Sequence, residues 1–401
     1  MTDRLRLFVA CAPGLEPLLA RELVDLGVEE VAATAGGVGC FGDLDAIHRI
    51  NLGSGLGLRA LIRVAEFIVR DFAKLERVAK TLEWERWLLP LPGVAQGRAG
   101  VRVRAHAKRS RLYHTKAIVE RVERGIAQRL GARVELRADE AEGPGGGELG
   151  VTGAREPVLV QVRIIRDRCT ISVDTTGTLL HKRGWRLETA KAPLREDIAR
   201  ALVLLSGWRP GMALLDPVAG AGTLVIEAAT LARGLPPGLG RTFSSVDQGH
   251  FDPARFEQQR RELADALRRG EPGPALIGCD RDAGAVAAAQ RNAARAGVEA
   301  NVQFLERSVG DRELPPLELG TEAGVALVAN PPWGQRVGDP GRLRNLYASL
   351  GQLARRLPRP TPIAIATADP ALAAATELGL ERRLLTDQGG VKVGLWTGTL
   401  E

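Results

Sequence analysis

The sequence predicts an α/β protein whose C-terminal part, residues 174–401, forms a doubly wound, Rossmann-like sheet. Three observations support this. A buried strand ends at a carboxylate and turns through small residues into a helix at 212–229. Apolar runs of strand length then alternate with helical runs, and two strand-like runs close the chain, which gives a mixed seven-stranded sheet with a reversed last strand. The residues in front mix short strands with helices.

The strand–turn–helix is the first candidate for a ligand site. Pro217 ends the strand directly after Asp216, and Gly220 and Gly222 leave the backbone of the turn bare. The helix begins at Thr223, so its free N–H groups and positive dipole end point back toward the turn. Because ligands of open α/β sheets bind beyond the carboxyl ends of the strands, we expect a cofactor here. A tight turn without a ligand is the alternative.

The residues around the turn narrow the choice of cofactor. A dinucleotide fingerprint reads G-x-G-x-x-G with an acid about 20 residues on, and this turn lacks it. Asp216 would repel a pyrophosphate and attract a cationic or amine-bearing group. Asp280, at the end of the second strand, suits a ribose whose hydroxyls need acceptors. These features favour S-adenosyl-L-methionine, which has an amine, a sulfonium and a ribose but no phosphate.

The first 52 residues predict a small ferredoxin-like unit, because strand, helix, strand, strand and helix follow in that order. Leucines recur at helical spacing between residues 15 and 26, Gly27 ends that helix, and Gly36-Gly37 marks a hairpin. The predicted elements are a strand at 5–10, a helix at 15–26, strands at 28–34 and 38–41, and a helix at 45–52.

Residues 58–173 continue this mixed pattern. Strands are predicted at 61–67, 101–107, 158–165 and 169–173, helices at 72–82 and 115–129, and a flexible glycine-rich loop at 142–150.

The span 101–124 is strongly basic, with eight lysines and arginines against two glutamates. A basic strand–loop–helix can bind nucleic-acid phosphates with an affinity that falls with salt. Aromatic residues are few here, so backbone contact is favoured over base stacking. A solvated charged surface is the alternative. The candidate RNA-binding residues are Arg104, Lys108, Arg109, Arg111 and Lys116.

The C-terminal part begins with the segment 174–186, followed by a helix predicted at 193–205 with Pro193 in its first turn. His181, Arg183, Trp185 and Arg186 could reach over the cofactor strand, or His181 is a structural histidine. After the strand at 212–215 and its helix come a loop at 233–252 and an extra charged helix at 253–268. Further strands are predicted at 275–279, 301–305, 325–329, 362–367, 381–386 and 391–397, with helices at 283–296, 342–357 and 370–378.

The tetrapeptide Asn330-Pro331-Pro332-Trp333 follows the fourth of these strands. Two prolines exclude both a helix and a strand ladder, so the backbone is rigid and its carbonyls are free. The amide oxygen of Asn330 and the carbonyl of Pro331 can accept both N–H groups of a ring-bound amine, which favours the pyramidal geometry of a nucleophile. Trp333 offers a flat face for the base, worth ~1–3 kcal/mol by stacking. Most of the rate would come from positioning, and a proline-rich loop with a core tryptophan is the alternative.

These motifs together resemble a known family. LFVACAPGLEPLLARELVDLG, GTLLHKRGWR, APLREDIARALVLLSGW, LLDPVAGAGTLVIEAATLA, GCDRDAGAVAAAQRNAARAG and NPPWG occur in that order across nearly the whole chain. The chain resembles the N-terminal, L-type half of bacterial bifunctional large-subunit ribosomal RNA guanine-N2 methyltransferases, within the RNA methyltransferases that carry a THUMP domain. The resemblance implies a ferredoxin-like module at 1–44, a THUMP RNA-binding domain at 45–173 and a class I methyltransferase domain at 174–401.

The resemblance also assigns residue roles. The implied cofactor contacts are Asp216, Pro217, Gly220, Gly222, Thr223, Asp280, Ser308 and Asn330, and the implied catalytic residues are Asn330, Pro331, Pro332 and Trp333. Three features depart from the family. Trp333 replaces a tyrosine or phenylalanine, Ser308 stands where an acid is expected beside the adenine, with Asp311 as a substitute, and a second methyltransferase half is missing, so one modification is expected.

Composition limits the other possibilities. Lysine and arginine total 55 against 48 acids, a formal charge of +7 that favours a polyanionic partner. The four cysteines have no C-x-x-C spacing, so neither a zinc site nor a disulfide framework is expected, and no metal is predicted. No apolar run reaches the ~20 residues of a membrane span, and the N-terminus lacks the features of a signal peptide, so we expect a cytoplasmic location.

The leading functional prediction is S-adenosylmethionine-dependent methylation of the exocyclic N2 of a guanine in 23S ribosomal RNA. A transfer RNA guanine is the nearest alternative. DNA adenine-N6 methylation and a non-catalytic RNA-binding factor are further alternatives, and the sequence leaves open the nucleotide and the oligomeric state.

Overall fold

The structure is a computed structural model that describes residues 4–89, 98–138, 157–189, 193–248, 251–267, 276–320, 322–334 and 340–401. The described strands form two sheets, one of eight strands and one of seven. None of the described helices combines the length and the apolar character needed to cross a bilayer. The predicted glycine-rich loop at 142–150 lies outside the described residues.

The front sheet is built from the first 174 residues. Its strands are β1 (Leu5–Cys11), β2 (Glu29–Thr34), β3 (Gly37–Gly42), β4 (Gly57–Ile68), β5 (Ala99–Lys108), β6 (Val134–Leu136), β7 (Val158–Ile165) and β8 (Arg168–Asp174). Its helices are α1 (Glu16–Asp25), α2 (Leu44–Gly53), α3 (Phe72–Thr81), α4 (Trp84–Leu88) and α5 (Thr115–Leu130).

Strand β4 joins two units into one continuous sheet of order β2-β3-β1-β4-β8-β7-β5-β6. It is the last strand of the ferredoxin-like unit, antiparallel to β1, and it pairs along its other edge with β8. The predicted elements are therefore confirmed, but the two units share a sheet. Val9 of β1 and its partner Ala60 of β4 are both buried. Val160 of β7 and its partner Val173 of β8 are buried as well. This apolar face packs against the helices.

The second sheet has the order β11-β10-β9-β12-β13-β15-β14, with β15 antiparallel to both of its neighbours. Its strands are β9 (Ala213–Asp216), β10 (Leu276–Asp280), β11 (Val302–Glu306), β12 (Val325–Ala329), β13 (Thr361–Thr367), β14 (Glu381–Gln388) and β15 (Val391–Leu400). Its helices are α6 (Glu196–Leu205), α7 (Thr223–Ala232), α8 (Pro253–Leu267), α9 (Ala283–Ala296), α10 (Pro340–Arg356) and α11 (Pro370–Ala375). The predicted seven-stranded sheet with a reversed last strand is confirmed.

The sequence predicted the start of one helix wrongly and missed two short elements. The helix predicted from Pro193 begins at Glu196, because Gln388 of β14 holds the preceding backbone extended. The Gln388 amide accepts from the Arg195 N–H at 3.1 Å and donates to the Pro193 carbonyl at 2.9 Å. The short elements α4 and β6 were missed, since three to five residues show too little periodicity to predict.

Residues 233–267, between α7 and β10, fix the second sheet to the front one. The Gly238 N–H donates to the carbonyl of Leu52 at the end of α2, at 2.8 Å. Arg255 of α8 forms a two-pronged ion pair with Asp45 at the start of α2, with a shortest N–O distance of 2.9 Å. The extra helix predicted from its charges thus contacts α2 of the front unit.

Replacing Gly238 by alanine should destabilise the protein, because a Cβ there would lie 2.4 Å from the Asn51 carbonyl oxygen. Overpacking of this kind costs typically about 1–3 kcal/mol of the free energy of unfolding. Gly240→Ala is the matched control, since a Cβ at Gly240 meets no atom within 4 Å. Urea unfolding of both variants checks this, and equal losses would contradict the close contact.

Candidate active site

Two neighbouring strands place Asp216 and Asn330 at the same edge of the sheet. β9 and β12 are parallel, with Leu215 paired to Leu327, so Asn330 lies two residues beyond the level of Asp216. With strands about 4.8 Å apart and a rise of about 3.3 Å per residue, their Cα atoms are about 8 Å apart. The register also puts both residues on the same face of the sheet. The acid and the amide, distant in sequence, can therefore contact one ligand.

Asp216 is a buried carboxyl without a cationic partner among the described residues. It is 1% exposed, and its Oδ1 accepts from the Val218 N–H at 3.1 Å. Burial raises the pKa of Asp216 to about 8, with a further rise from the nearby charge of Asp280 and an opposing effect of the Val218 N–H. An incoming cation would stabilise the charged form, so the geometry fits the predicted role of attracting an amine or sulfonium.

The turn after β9 is held by the end of β10. The Gly220 N–H donates to Asp280 Oδ2 at 2.9 Å, while Asp280 Oδ1 accepts from the Asp282 N–H at 3.0 Å. Asp280 is half-buried, and each of its oxygens can accept a further hydrogen bond. Pro217 lines a small pocket that includes Cys279 and Ser308, and Thr223 is buried as the first residue of α7.

Gly222 serves packing as well as the turn. It adopts φ +84°, and a Cβ there would lie 2.8 Å from the ring of Phe304 and 3.0 Å from the Cβ of Ala289. The missing side chain therefore lets α7 approach β11 and α9 closely, a role that the sequence prediction of a bare ligand surface did not include.

Ser308 and Asp311 form a turn after β11 at the predicted adenine end. Asp311 Oδ2 accepts from the Ser308 N–H at 3.1 Å and lies 3.6 Å from Arg307. Both residues line the pocket with Pro217. Asp311 thus shapes the loop on which the exposed Ser308 stands, and either side chain remains available at the pocket.

The tetrapeptide presents one unsatisfied acceptor. Oδ1 of Asn330 is buried and has no hydrogen-bond partner among the described residues. Trp333 Nε1 donates to the carbonyl of Ala366 on β13 at 3.0 Å, and the hydroxyl of the buried Tyr347 donates to the Pro332 carbonyl at 3.3 Å. The loop is therefore fixed from behind. A buried acceptor left open in this way is costly unless a ligand donor satisfies it.

Behind the turn, Glu227 of α7 is the centre of a buried ion network. Its oxygens lie 3.3 Å from Arg183 Nε and 3.2 Å from Arg200 Nη1, and all three side chains are at most 10% exposed. Arg183 also donates to the carbonyls of Leu180 and Gly55. The network reaches the front unit through Gly55, so the segment before β9 braces the helix and does not reach over the strand.

The same segment contains His181, Trp185 and Arg186. Burial lowers the pKa of His181 to about 3, so this histidine is neutral. Arg186 pairs with Glu196 at 3.0 Å, and Trp185 is buried. His181 Nδ1 has no hydrogen-bond partner among the described residues, so both interpretations of this histidine stay predictions.

The candidate RNA-binding residues lie in the front sheet, around the C-terminal end of β5, and are distant in sequence from Asp216 and Asn330. Arg104 and Lys108 are on β5, Arg109 and Arg111 are in the exposed turn that follows, and Lys116 is in the first turn of α5. Tyr113 in the same turn is 64% exposed and lies against the ring of His114.

Sequence reasoning missed Asn292 of α9. Its Nδ2 donates to the carbonyls of Ala221 in the turn and of Glu188, both at 3.0 Å, and the side chain is fully buried. A lone asparagine in an alanine-rich helix was the available signal. Tyr347 and Glu227 were also missed, because their partners are distant in sequence.

Comparisons with known proteins identify the family to which most of this chain corresponds. The family model UPF0020, described as an RMKL-like methyltransferase domain, matches residues 183–388. A model of the RlmL ferredoxin-like domain matches residues 6–61 and ends inside β4. The predicted domain limits at 44 and 173 stay predictions.

Individual relatives cover most of the chain. The ribosomal RNA large subunit methyltransferase K/L of Syntrophotalea carbinolica is 36% identical over 380 residues, which are 91% of this chain and 50% of that protein. The Synechocystis protein slr0064, an RNA methyltransferase by name, is 28% identical, with 96% of this chain and 94% of that protein covered. The structure of SMU.472 complexed with SAH is 25% identical with a TM-score of 0.81, covering 99% and 98%. This chain spans about half the length of the K/L relatives that it matches.

Asp216→Asn should stabilise the ligand-free protein increasingly as pH rises. The native carboxyl keeps its proton up to about pH 8, whereas in the unfolded chain its pKa is about 3.9, so wild-type stability from this group is present below pH 4 and falls up to pH 8. Asparagine does not titrate, so the difference should grow by up to about 1.4 kcal/mol per pH unit between these limits.

Urea unfolding at pH 5, 6, 7 and 8 measures this difference. Asp25→Asn is the control, because it makes the same chemical change at an exposed position far in sequence from the turn. A constant difference for Asp216→Asn would contradict the raised pKa.

Proposed function

Because the chain belongs to the UPF0020 family of RMKL-like methyltransferase domains, we propose that it transfers a methyl group from S-adenosyl-L-methionine to the N2 amine of a guanine in 23S ribosomal RNA. The observation that carries the proposal is the pairing, at one sheet edge, of a carboxyl without a cationic partner and an amide oxygen without a donor. The carboxyl of Asp216 would accommodate a cation, and the amide oxygen of Asn330 would accept a hydrogen bond from an amine.

The residues of the turn fit S-adenosylmethionine. Asp216 would hold its positive end, Pro217, Gly220, Gly222 and Thr223 would form the cradle, and Asp280 would accept from the ribose hydroxyls. Ser308 and Asp311 would border the adenine. When bound, this cofactor supplies an electrophilic methyl group on a sulfonium. That the relative SMU.472 was solved with SAH supports the choice.

Asn330 would prepare the nucleophile. A ring-bound amine is a poor nucleophile because its lone pair is delocalised into the ring. Hydrogen bonds to Asn330 Oδ1 and to the Pro331 carbonyl would hold both N–H groups and favour a pyramidal nitrogen. The proton leaves after the nitrogen has become cationic, so no strong base is required, and positioning supplies most of the rate.

Trp333 would support the target base. Its ring is half-buried and its Nε1 is bonded to Ala366, so the orientation of the ring is set before the base arrives. Tyr347 holds Pro332 in the same way. A fixed aromatic face binds a base with little loss of side-chain entropy.

The choice of ribosomal RNA rests on the K/L relatives, and the choice of guanine N2 rests on the family resemblance of the tetrapeptide. The basic residues Arg104, Lys108, Arg109, Arg111 and Lys116 on the front sheet are proposed to bind the RNA backbone, with residues 45–173 as a THUMP domain. Mass spectrometry of digested ribosomal and transfer RNA from a deletion strain and its parent distinguishes the two substrates.

Asn330→Ala should reduce turnover by about 10²–10³-fold, the usual effect of losing one preorganised hydrogen bond at a reacting centre. Although the resemblance also counts Asn330 among the cofactor contacts, the affinity for S-adenosylmethionine should change little, because Asp216 and the turn supply the other contacts and are untouched. Single-turnover methyl transfer and calorimetric titration measure the two quantities.

Asn330→Asp is the matched control, since it keeps an acceptor oxygen at the same place and should retain more activity than Asn330→Ala. Equal turnover of wild type and Asn330→Ala would remove the proposed role. If the wild-type protein did not bind S-adenosylmethionine, the non-catalytic RNA-binding alternative would be favoured.

A further inference from the structure

Among the residues that the structure describes, the α-helices of the front part pack on one face of the front sheet, and strand register defines the residues of the opposite face. The row Arg63, Ser172, Gln161 and Arg104 crosses β4, β8, β7 and β5, because each is the register partner of the next. The next row toward the strand ends crosses the same strands at 66, 170, 163 and 106. Three strand spacings make each row about 14 Å wide.

Side-chain contacts agree with this assignment. Glu66 pairs with both Arg6 of β1 and Arg168 of β8, at 2.7 and 2.9 Å, which is possible only if all three lie on the same face. The guanidinium of Arg63 lies 4.4 Å from the ring centroid of Phe8, which is 6% exposed. The helix-free face is therefore polar and charged.

One end of this face is closed by the catalytic part of the chain. Gln248 Nε2 donates to the carbonyl of Asp174 at 3.0 Å, and the Ser245 N–H donates to Thr175 at 3.0 Å. Leu159 and Asp174 on this face are buried at 1% and 0% exposure. We use the name open face for the part of this face beyond residues 244–248, which includes the rows at 63, 172, 161 and 104 and at 66, 170, 163 and 106.

The open face has a strong excess of positive charge among the described residues. Its carboxylates include Glu66 and also Glu29, which lies in the row of Arg6 and Phe41, and hydroxyl and amide groups stand between the cations. Its cationic side chains are Arg6, Arg63, Arg104, Lys108, Arg163 and Arg168.

We propose that the open face binds the sugar-phosphate backbone of the RNA substrate. Arginine and lysine spread over a flat surface match a polyanion, and serine, threonine and glutamine add donors for phosphate and 2′-hydroxyl oxygens. Base stacking is not favoured, because Arg63 covers the ring of Phe8 and Arg4 lies over the ring of Phe41 on the same face, at 4.4 Å in both cases. This proposal rests on the proposed RNA substrate and adds a surface to it.

The open face differs from the basic span seen in the sequence. It includes Arg104 and Lys108 and adds Arg63 and Arg163 from strands that are distant in sequence. Lys116 belongs to α5, which packs on the opposite, helical face. Arg109 and Arg111 lie in the turn at its edge.

The test compares charge removal on the two faces. The open-face variant is Arg104→Gln/Lys108→Gln/Arg163→Gln, and the control is Lys74→Gln/Arg77→Gln/Lys80→Gln, three exposed cations of α3 on the helical face. Affinity for 23S ribosomal RNA fragments is measured between 50 and 300 mM salt. The slope of log affinity against log salt should fall by about 2–2.7 for the open-face variant, since each lost phosphate contact removes about 0.7–0.9, and should be unchanged for the control.

Glu66→Gln is a second variant, and its expected effect is tighter RNA binding, which a loss of protein stability would not produce. Removing the carboxylate frees Arg6 and Arg168 and should strengthen RNA binding several-fold with a steeper salt slope. Equal slopes for the two triple variants, or weaker binding by Glu66→Gln, would overturn the proposal. So would tighter binding of the open face to anionic lipid vesicles than to RNA.

These outcomes are separable from failure of the proposed function. If wild-type protein binds RNA with the predicted slopes but transfers no methyl group, the surface stands and the enzyme assignment fails. If it methylates RNA while the open-face variant binds and reacts like wild type at all salt concentrations, only the surface is wrong.

Discussion

The buried ion network around Glu227 is the interaction on which the arrangement of the two sheets depends. Glu227 lies in the second turn of the helix that follows Gly222, and its partners Arg183 and Arg200 extend to Gly55 and Glu22 of the front unit. A buried charge that loses its partner is strongly destabilising. A shift of one sheet relative to the other would therefore be costly, because it would leave an ion of this network buried and unpaired. The contact of residues 233–267 with α2 adds a second, largely polar attachment. The front sheet and the catalytic edge are thereby held in one geometry.

The sheet edge that carries Asp216 and Asn330 contains two buried polar groups that lack, in the described part of the chain, the partners that would stabilise them. Asp216 is buried without a cation and Asn330 Oδ1 without a donor, while the backbone around them is fixed by Asp280, Asn292 and Ala366. Unmet polar groups in a rigid setting reduce the stability of the ligand-free protein and strengthen the binding of a ligand that satisfies them. Under the proposed function, these fixed groups would receive a cation on one strand and an amine on its neighbour without rearranging.

The continuous front sheet brings cations from both of its units onto one surface, which we propose to bind RNA. Because β4 serves two units, cations from Arg6 to Lys108 share one plane, whereas two separate domains would have divided them. Residues 244–248, from the catalytic part, close one end of that plane. An RNA bound across it would thus be held at a fixed position relative to the sheet that carries Asp216 and Asn330, and rigid placement reduces the entropy lost on binding.

The sequence determined what local pattern can encode. Apolar period, glycine turns and proline positions predicted most helices and strands, the seven-stranded sheet and the residues at Asp216, Asp280 and Asn330. Tertiary structure alone decided the rest, because it depends on contacts between residues far apart in the chain. Gln388 moved the start of α6, Phe304 explained Gly222, and burial raised the pKa of Asp216. Strand register brought Arg63 beside Ser172 and left Lys116 on the other side, since a strand shows two faces and only its partners decide which one the helices cover.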